Sequence, residues 1–323
     1  MKKLVAMALS IVLGLGALSA CTTPSESNNG QGSNGTNNAG NSNGNNNGDS
    51  NGNNNGSSNG SSNSSFDASK AISVVTREDG SGTRSAFVEL FKVTDADNQD
   101  NITKEAITAD ETDIMMTNVA NNPYAIGYCS LGSLNDSIKP LVVDGVQATV
   151  ANVKNGTYKI QRPFFIATKG EPTGVTKDFI DFILSSEGQA VVEARGFVAI
   201  VDNPAPYAGS KPAGRIVIGG SSSVHPLMDK LREAYLATNP NATIELQMQD
   251  SSAGMTGAMN GTFDIGMASR ELKESELAEL KDFQIALDGI AVIVNNANPL
   301  DQIASPMVKD IYDGTVTKWN DVK

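Results

Sequence analysis

Two arginines, two glycines and two hydroxyls fall within eight residues of this chain, REDGSGTR at positions 77–84, straight after the apolar run AISVV. A second cluster, GGSSS at 219–223, follows the short run RIVI, and a third, DSSAG at 250–254, follows TIELQMQ. The chemistry open to such clusters is the holding of an oxyanion. A helix start leaves backbone N–H groups unpaired, and neighbouring hydroxyls add further donors. A flanking arginine contributes charge-assisted donors in a planar fork. One such loop is equally an ordinary α/β turn, since glycine frees the backbone and Ser or Thr caps helices. Arg77 alone is equally a surface arginine paired with Glu78 or Asp79. Three such loops whose helix starts converge would surround a tetrahedral anion.

The elements that must position these loops are legible around them. AISVV, RIVI and TIELQMQ are strand-like runs, while RSAFVELFKV and LMDKLREAYLA, the latter behind Pro226, have the pattern of helices. Each cluster therefore reads as strand, Ser/Gly loop, helix. Other chemistries find less support. The chain has one histidine, His225, beside a helix start. A serine triad would need it as the base for a serine of its own turn, a poor geometry. DGSGT lacks the Lys-Ser/Thr ending of a phosphate-cradling Walker loop. No metal-ligand spacing stands out, so no metal, no cofactor and no enzyme activity are expected.

Composition narrows the setting. Residues 22–65 are almost wholly Asn, Gly and Ser, which predicts a flexible tether and leaves residues 66–323 to fold. The net charge of −12 argues against nucleic acid or an anionic membrane surface as partner. It does not argue against a small anion held by directed hydrogen bonds. Lys2 and Lys3 precede an apolar run too short and Gly-interrupted for a permanent span. That run ends in LSAC, which resembles the lipobox of bacterial lipoproteins. The expectation is a signal peptide over residues 1–21 with a lipidated Cys21, against the alternative of a chance cysteine near a cleavage site. The folded part then sits outside the cytoplasmic membrane on a lipid anchor. Cys129 is expected to be a small buried hydrophobe without a disulfide partner.

Beyond the three loops, the runs DSSAGMTGAMNGTFDIGMASRELKESEL, DGIAVIVNNANPL, IYDGTVTKWNDV, NPYAIGYCSLGSL and FIDFILSSEGQAVVEARGFVAI give the chain a resemblance to the phosphate-binding proteins of bacterial phosphate ABC transporters. It covers most of residues 71–323. The resemblance implies an α/β, two-domain periplasmic-binding-protein-like (type II) fold that closes on its ligand by hinge motion. Family members begin with the GGSSS segment and reach REDGSGTR only after KWNDV. Here REDGSGTR comes first and the chain stops just past KWNDV. That order implies a circular permutation, cut in the loop between Trp319 and Ile72. It makes one domain continuous over 160–289 and splits the other into 70–159 plus 290–323, with hinges near 288–294 and 158–163.

By the same resemblance, Ser222 and Ser223 contact phosphate from the first loop, and Ser251 and Ser252 from the second. Arg77, Ser81, Gly82 and Thr83 do so from the other domain, and Asp79 orients the arginine. Ser269 stands where many relatives place an aspartate that accepts the phosphate proton, with Arg270 next. Asp250 replaces a usual glycine, and its carboxylate is a candidate for that acceptor role or else a solvated turn residue. The implied function is capture of inorganic phosphate for a membrane permease, by a protein working as a monomer. A phosphate sensor or surface protein of the same fold, or a surface phosphoesterase, are the alternatives.

Overall fold

The computed structural model describes residues 66–323; the signal segment, Cys21 and the Asn/Gly/Ser tether lie outside the described residues. The described part begins with β1 (Ser73–Arg77), α1 (Gly82–Phe91), β2 (Ile107–Ala109) and α2 (Thr112–Ala120). Next come β3 (Ala125–Ser130), β4 (Ile138–Pro140), β5 (Val142–Val143) and α3 (Val150–Lys154). β6 (Gln161–Thr168), α4 (Gly174–Ile183) and α5 (Ser186–Ala194) follow. Then β7 (Gly214–Ser221), α6 (His225–Thr238), β8 (Ala242–Gln249), α7 (Ser251–Asn260) and β9 (Ile265–Ala268) alternate. The last elements are α8 (Glu274–Leu277), β10 (Lys281–Asn295), β11 (Gln302–Ile303) and α9 (Ser305–Tyr312).

One mixed sheet joins most of the strands in the order β2-β1-β3-β10-β6-β9-β7-β8, with β4 also paired to β10. β1 runs parallel to β2 and β3, and β7 runs parallel to β8 and β9. Strand β10 connects the two parallel groups. Its first part, Lys281 to Gly289, pairs antiparallel with β6, and its second part, from Ile290 to Val294, pairs antiparallel with β3. The all-buried runs AIGYCS and IAVIV suit this central position, where both faces of a strand are covered. Cys129 is buried and free there, and burial raises its pKa, so it acts as a small apolar residue.

Two main hydrophobic cores define two lobes of a PBP-like α/β fold. The first gathers Val75, Phe87, Tyr128, Ile293 and Tyr312; the second gathers Phe164, Phe179, Ile218, Leu231 and Ile265. A smaller cluster under α7 adds Met255 and Leu280. In the first lobe the segment before β1 lies beside the end of the chain. The Ile72 N–H donates to the Thr317 carbonyl at 2.8 Å and the Asn320 N–H to the Ala68 carbonyl at 2.7 Å. Among the described residues, no helix is long and apolar enough to cross a membrane.

Candidate functional site

Parallel strands end together, and here two pairs of them end at the same cleft. β1 and β2 are in register at Arg77 and Ala109, and β7 and β8 at Ser221 and Gln249. Past these ends the chain turns into α1, α2, α6 and α7 respectively. Helix starts at the carboxyl ends of parallel strands direct N–H groups into the crevice outside the sheet. The Ser81 side chain accepts from the Arg84 N–H at the start of α1, which leaves the hydroxyl proton free to donate elsewhere. At α6, Pro226 sits in the first turn, where its missing N–H costs nothing. His225 is the first residue of that helix.

The loops of the two lobes meet through side chains. Arg77 Nη2 donates to Ser222 Oγ at 2.9 Å, and the hydroxyls of Thr83 and Ser223 lie 2.8 Å apart. Ser252 reaches the Gly80 carbonyl with both N–H and hydroxyl at 3.2 Å. Behind them, Ser221 Oγ donates to Ser269 Oγ at 3.0 Å, and the Ser269 N–H donates to Ser251 Oγ at 3.2 Å. Arg77, Ser81, Thr83, Ser222, Ser223, Ser251 and Ser269 are all buried. The expected site residues are thus brought together, with Ser252 half-buried at their edge. Gly82 has no room for a side chain, because a Cβ there would strike Ser251 Oγ and lie 2.7 Å from Ser269 Oγ. Gly82→Ala is expected to push the lobes apart and weaken anion binding by about 1–3 kcal/mol, the usual scale of overpacking. Titration calorimetry checks the affinity, and small-angle scattering checks the spacing of the lobes.

Two expectations about carboxylates change. Asp79 does not orient Arg77. Its side chain is 96% exposed and pairs with Arg84 at 3.3 Å. Glu78 takes that role, accepting from Arg77 Nε and Nη2 at 2.7 Å each. Residues 77 and 78 are adjacent at the end of β1, so a short side-chain fork closes locally, while Asp79 already sits in the turn facing solvent. Arg77 does pair with Glu78, but as a buried residue and not a surface one. Asp250 is neither in open solvent nor a bare pocket group. It is the N-cap of α7, where Oδ1 accepts from the Ala253 N–H at 2.8 Å, and its carboxylate packs against Gly80, whose φ of 89° favours glycine.

Several residues that contact these loops were not among the candidates that the sequence offered. Thr112 begins α2, accepts from Arg77 Nη1 at 3.1 Å and lies 3.2 Å from Ser223 Oγ. Its segment ITADETDIMM repeats the strand, hydroxyl, helix pattern, but the strand is only three residues long. Tyr128 stacks on Phe87 at 4.0 Å between centroids and accepts from the Arg77 N–H at 3.0 Å. Burial pushes its hydroxyl up to about 12, so it stays protonated. Arg162 forms a buried ion pair with Asp288 at 3.1 Å and donates from Nη1 to the Ser269 carbonyl, also at 3.1 Å. Burial pushes the Asp288 carboxyl up to about 6 against the pull of Arg162. Arg270, next to Ser269, is locked to Glu276 at 2.8 Å and touches the Ser252 hydroxyl at 3.3 Å.

The chain is similar to known proteins. Residues 56–187 and 205–323 match the model of the PBP superfamily domain. Phosphate-binding protein PstS 2 of Streptococcus agalactiae is 48% identical over 78% of this chain and 87% of its own. The crystal structure of a phosphate-binding protein of a phosphate ABC transporter from Streptococcus pneumoniae superposes with a TM-score of 0.65 at 41% identity. That match covers 79% of this chain and all of that one. Phosphate-binding protein PstS of Bacillus subtilis is 35% identical over 41% of this chain and 42% of its own. The chain therefore belongs to the PstS phosphate-binding protein family, within the PBP superfamily.

Proposed function

We propose that this protein captures inorganic phosphate in the cleft between its lobes and delivers it to the permease of a phosphate ABC transporter. The observation that carries the reading is the convergence of four helix starts and the Arg77 guanidinium on one cleft, from both lobes. A tetrahedral oxyanion needs donors from several directions, and this arrangement supplies them without a metal. Ser222, Ser223, Ser251, Ser252 and Ser269 would bind from one lobe, and Arg77, Ser81, Gly82 and Thr83 from the other. Binding and release, not turnover, is the role in keeping with relatives named as transporter components. The protein works as a monomer on the outer face of the membrane, anchored through Cys21.

The lobes are taken as 160–289 and as 70–159 plus 290–323, a division supported by the two hydrophobic cores except at the junction, where Ile160, Val198 and Leu287 pack into the first. The segment order reflects a circular permutation. Two observations support it: the pairing of residues 68–72 with 317–320, and the lengths of the family matches. The Streptococcus agalactiae relative aligns over 78% of the chain and the Bacillus subtilis relative over 41%. That contrast arises if the former shares this order and the latter has the usual one. Permutation is tolerated where chain ends lie close together.

Calorimetric titration with phosphate and with sulfate tests the function. Tight phosphate binding and much weaker sulfate binding are expected, and failure to bind phosphate overturns the reading. Sulfate and HPO4 are alike in charge and nearly so in size, and only HPO4 carries a proton to donate, so a fixed acceptor separates them. Asp250, with one oxygen still free of the helix cap, is our candidate acceptor. Asparagine caps helices as well as aspartate does, so Asp250→Asn should leave stability unchanged while sulfate gains on phosphate. An unchanged ratio of dissociation constants would assign discrimination to Ser269 or a backbone carbonyl instead.

A further inference from the structure

Beneath the anion loops lies a chain of buried polar groups that ties them to the junction of the lobes. Ser130, at the end of β3 in the first lobe, donates its hydroxyl to Asp288 Oδ1 at 2.9 Å. Asp288 faces Arg162 across the β10–β6 ladder, one residue before Gly289, the last position at which β10 pairs with β6 before it passes to β3. Arg162 gives Nε and Nη2 to Asp288 Oδ2 at 3.2 and 3.1 Å and its third arm, Nη1, to the Ser269 carbonyl at 3.1 Å. Ser269 in turn bonds Ser251 through its N–H and Ser221 through its hydroxyl. The path from β3 to the site hydroxyls is unbroken.

Stability does not account for this pair. The side chains of Arg162 and Asp288 are 1% and 0% exposed, and taking two charges out of water costs about as much as their attraction returns, so apolar residues of equal volume serve a core as well. What the ion pair adds is direction. A guanidinium holds two partners in one plane at fixed angles, which neither an ammonium nor an apolar side chain can do.

We propose that Arg162 is a positioning residue of the anion site. It holds the Ser269 carbonyl, so that the Ser269 hydroxyl, which accepts from Ser221, and the Ser251 hydroxyl, which accepts from the Ser269 N–H, are aimed, and it does so from the point where β10 changes lobes. The aim of those hydroxyls and the angle between the lobes are thereby set together. The proposal rests on the phosphate-binding reading above.

Arg162→Lys keeps a positive charge beside Asp288 but loses the fork to Ser269. The phosphate Kd, measured well below the unfolding transition, is expected to rise about tenfold, matching one lost charge-assisted hydrogen bond. Ser130→Ala removes a hydroxyl and no charge; it loses one hydrogen bond to the Asp288 carboxylate, and because that loss reaches the site only through Arg162 it should raise the Kd of the folded protein about threefold. A residue that only fills the core would lower Tm in the lysine variant and leave the Kd of both folded variants at the wild-type value, and that result overturns the proposal. If Arg162→Lys does not fold, Ser130→Ala decides: a raised Kd in the folded variant supports it, and an unchanged Kd overturns it. Failure of the unaltered protein to bind phosphate would instead overturn the function itself, before any variant is compared.

Discussion

Arg77→Ala is expected to cost about 2–4 kcal/mol of phosphate binding, on the scale for truncating one partner of a buried charge pair. Three losses combine. The guanidinium is the charged donor shared between the lobes, bonded to Thr112 on one side and Ser222 on the other. Its removal also leaves the Glu78 carboxylate, now clamped to it at two points, without a counter-charge beside an anion. Two hydroxyls lose a fixed partner and regain rotational freedom. Arg77→Lys should recover little, since a single ammonium cannot satisfy Glu78, Thr112 and Ser222 from one position. Calorimetry at neutral pH measures the loss, and thermal unfolding without ligand shows whether the fold is intact. Near-wild-type affinity in Arg77→Ala would remove this residue from the site.

A second large effect is expected on stability. Asp288→Ala leaves the Arg162 guanidinium buried with no carboxylate, which should destabilise the protein by about 3–5 kcal/mol. Restoring balance by removing the charge on both sides, in Arg162→Met with Asp288→Leu, should recover most of that loss, because two apolar side chains suit a site with no exposure. Urea unfolding of the two variants against wild type checks this. Equal stability of Asp288→Ala and wild type would mean the pair is dispensable. The paired replacement separates two roles of one residue: unfolding should return toward wild type while phosphate affinity does not, because the Ser269 carbonyl still lacks its donor.

Much of this protein was written locally. Alternating strand-like and helix-like runs placed the elements around the three loops, because hydrophobic periodicity and helix-start residues act within a few positions of each other. The Ser/Gly loops announced themselves for the same reason, since a helix N-terminus and its hydroxyls belong to one short segment. What tertiary structure alone decided is which side chains turn into the cleft and which distant segments they meet there. Whether Arg77 was orientated by Glu78 or Asp79 depended on which carboxylate the end of β1 turned inward. Asp250 caps α7 through the Ala253 N–H, and its carboxylate lies against Gly80 of the other lobe. Thr112 joined the site only because β2 lies in register beside β1. Arg162 and Asp288, far apart in sequence, became a buried pair because β10 and β6 are antiparallel at that register. Sequence carries the chemistry that each segment brings, but strand register determines which segments meet.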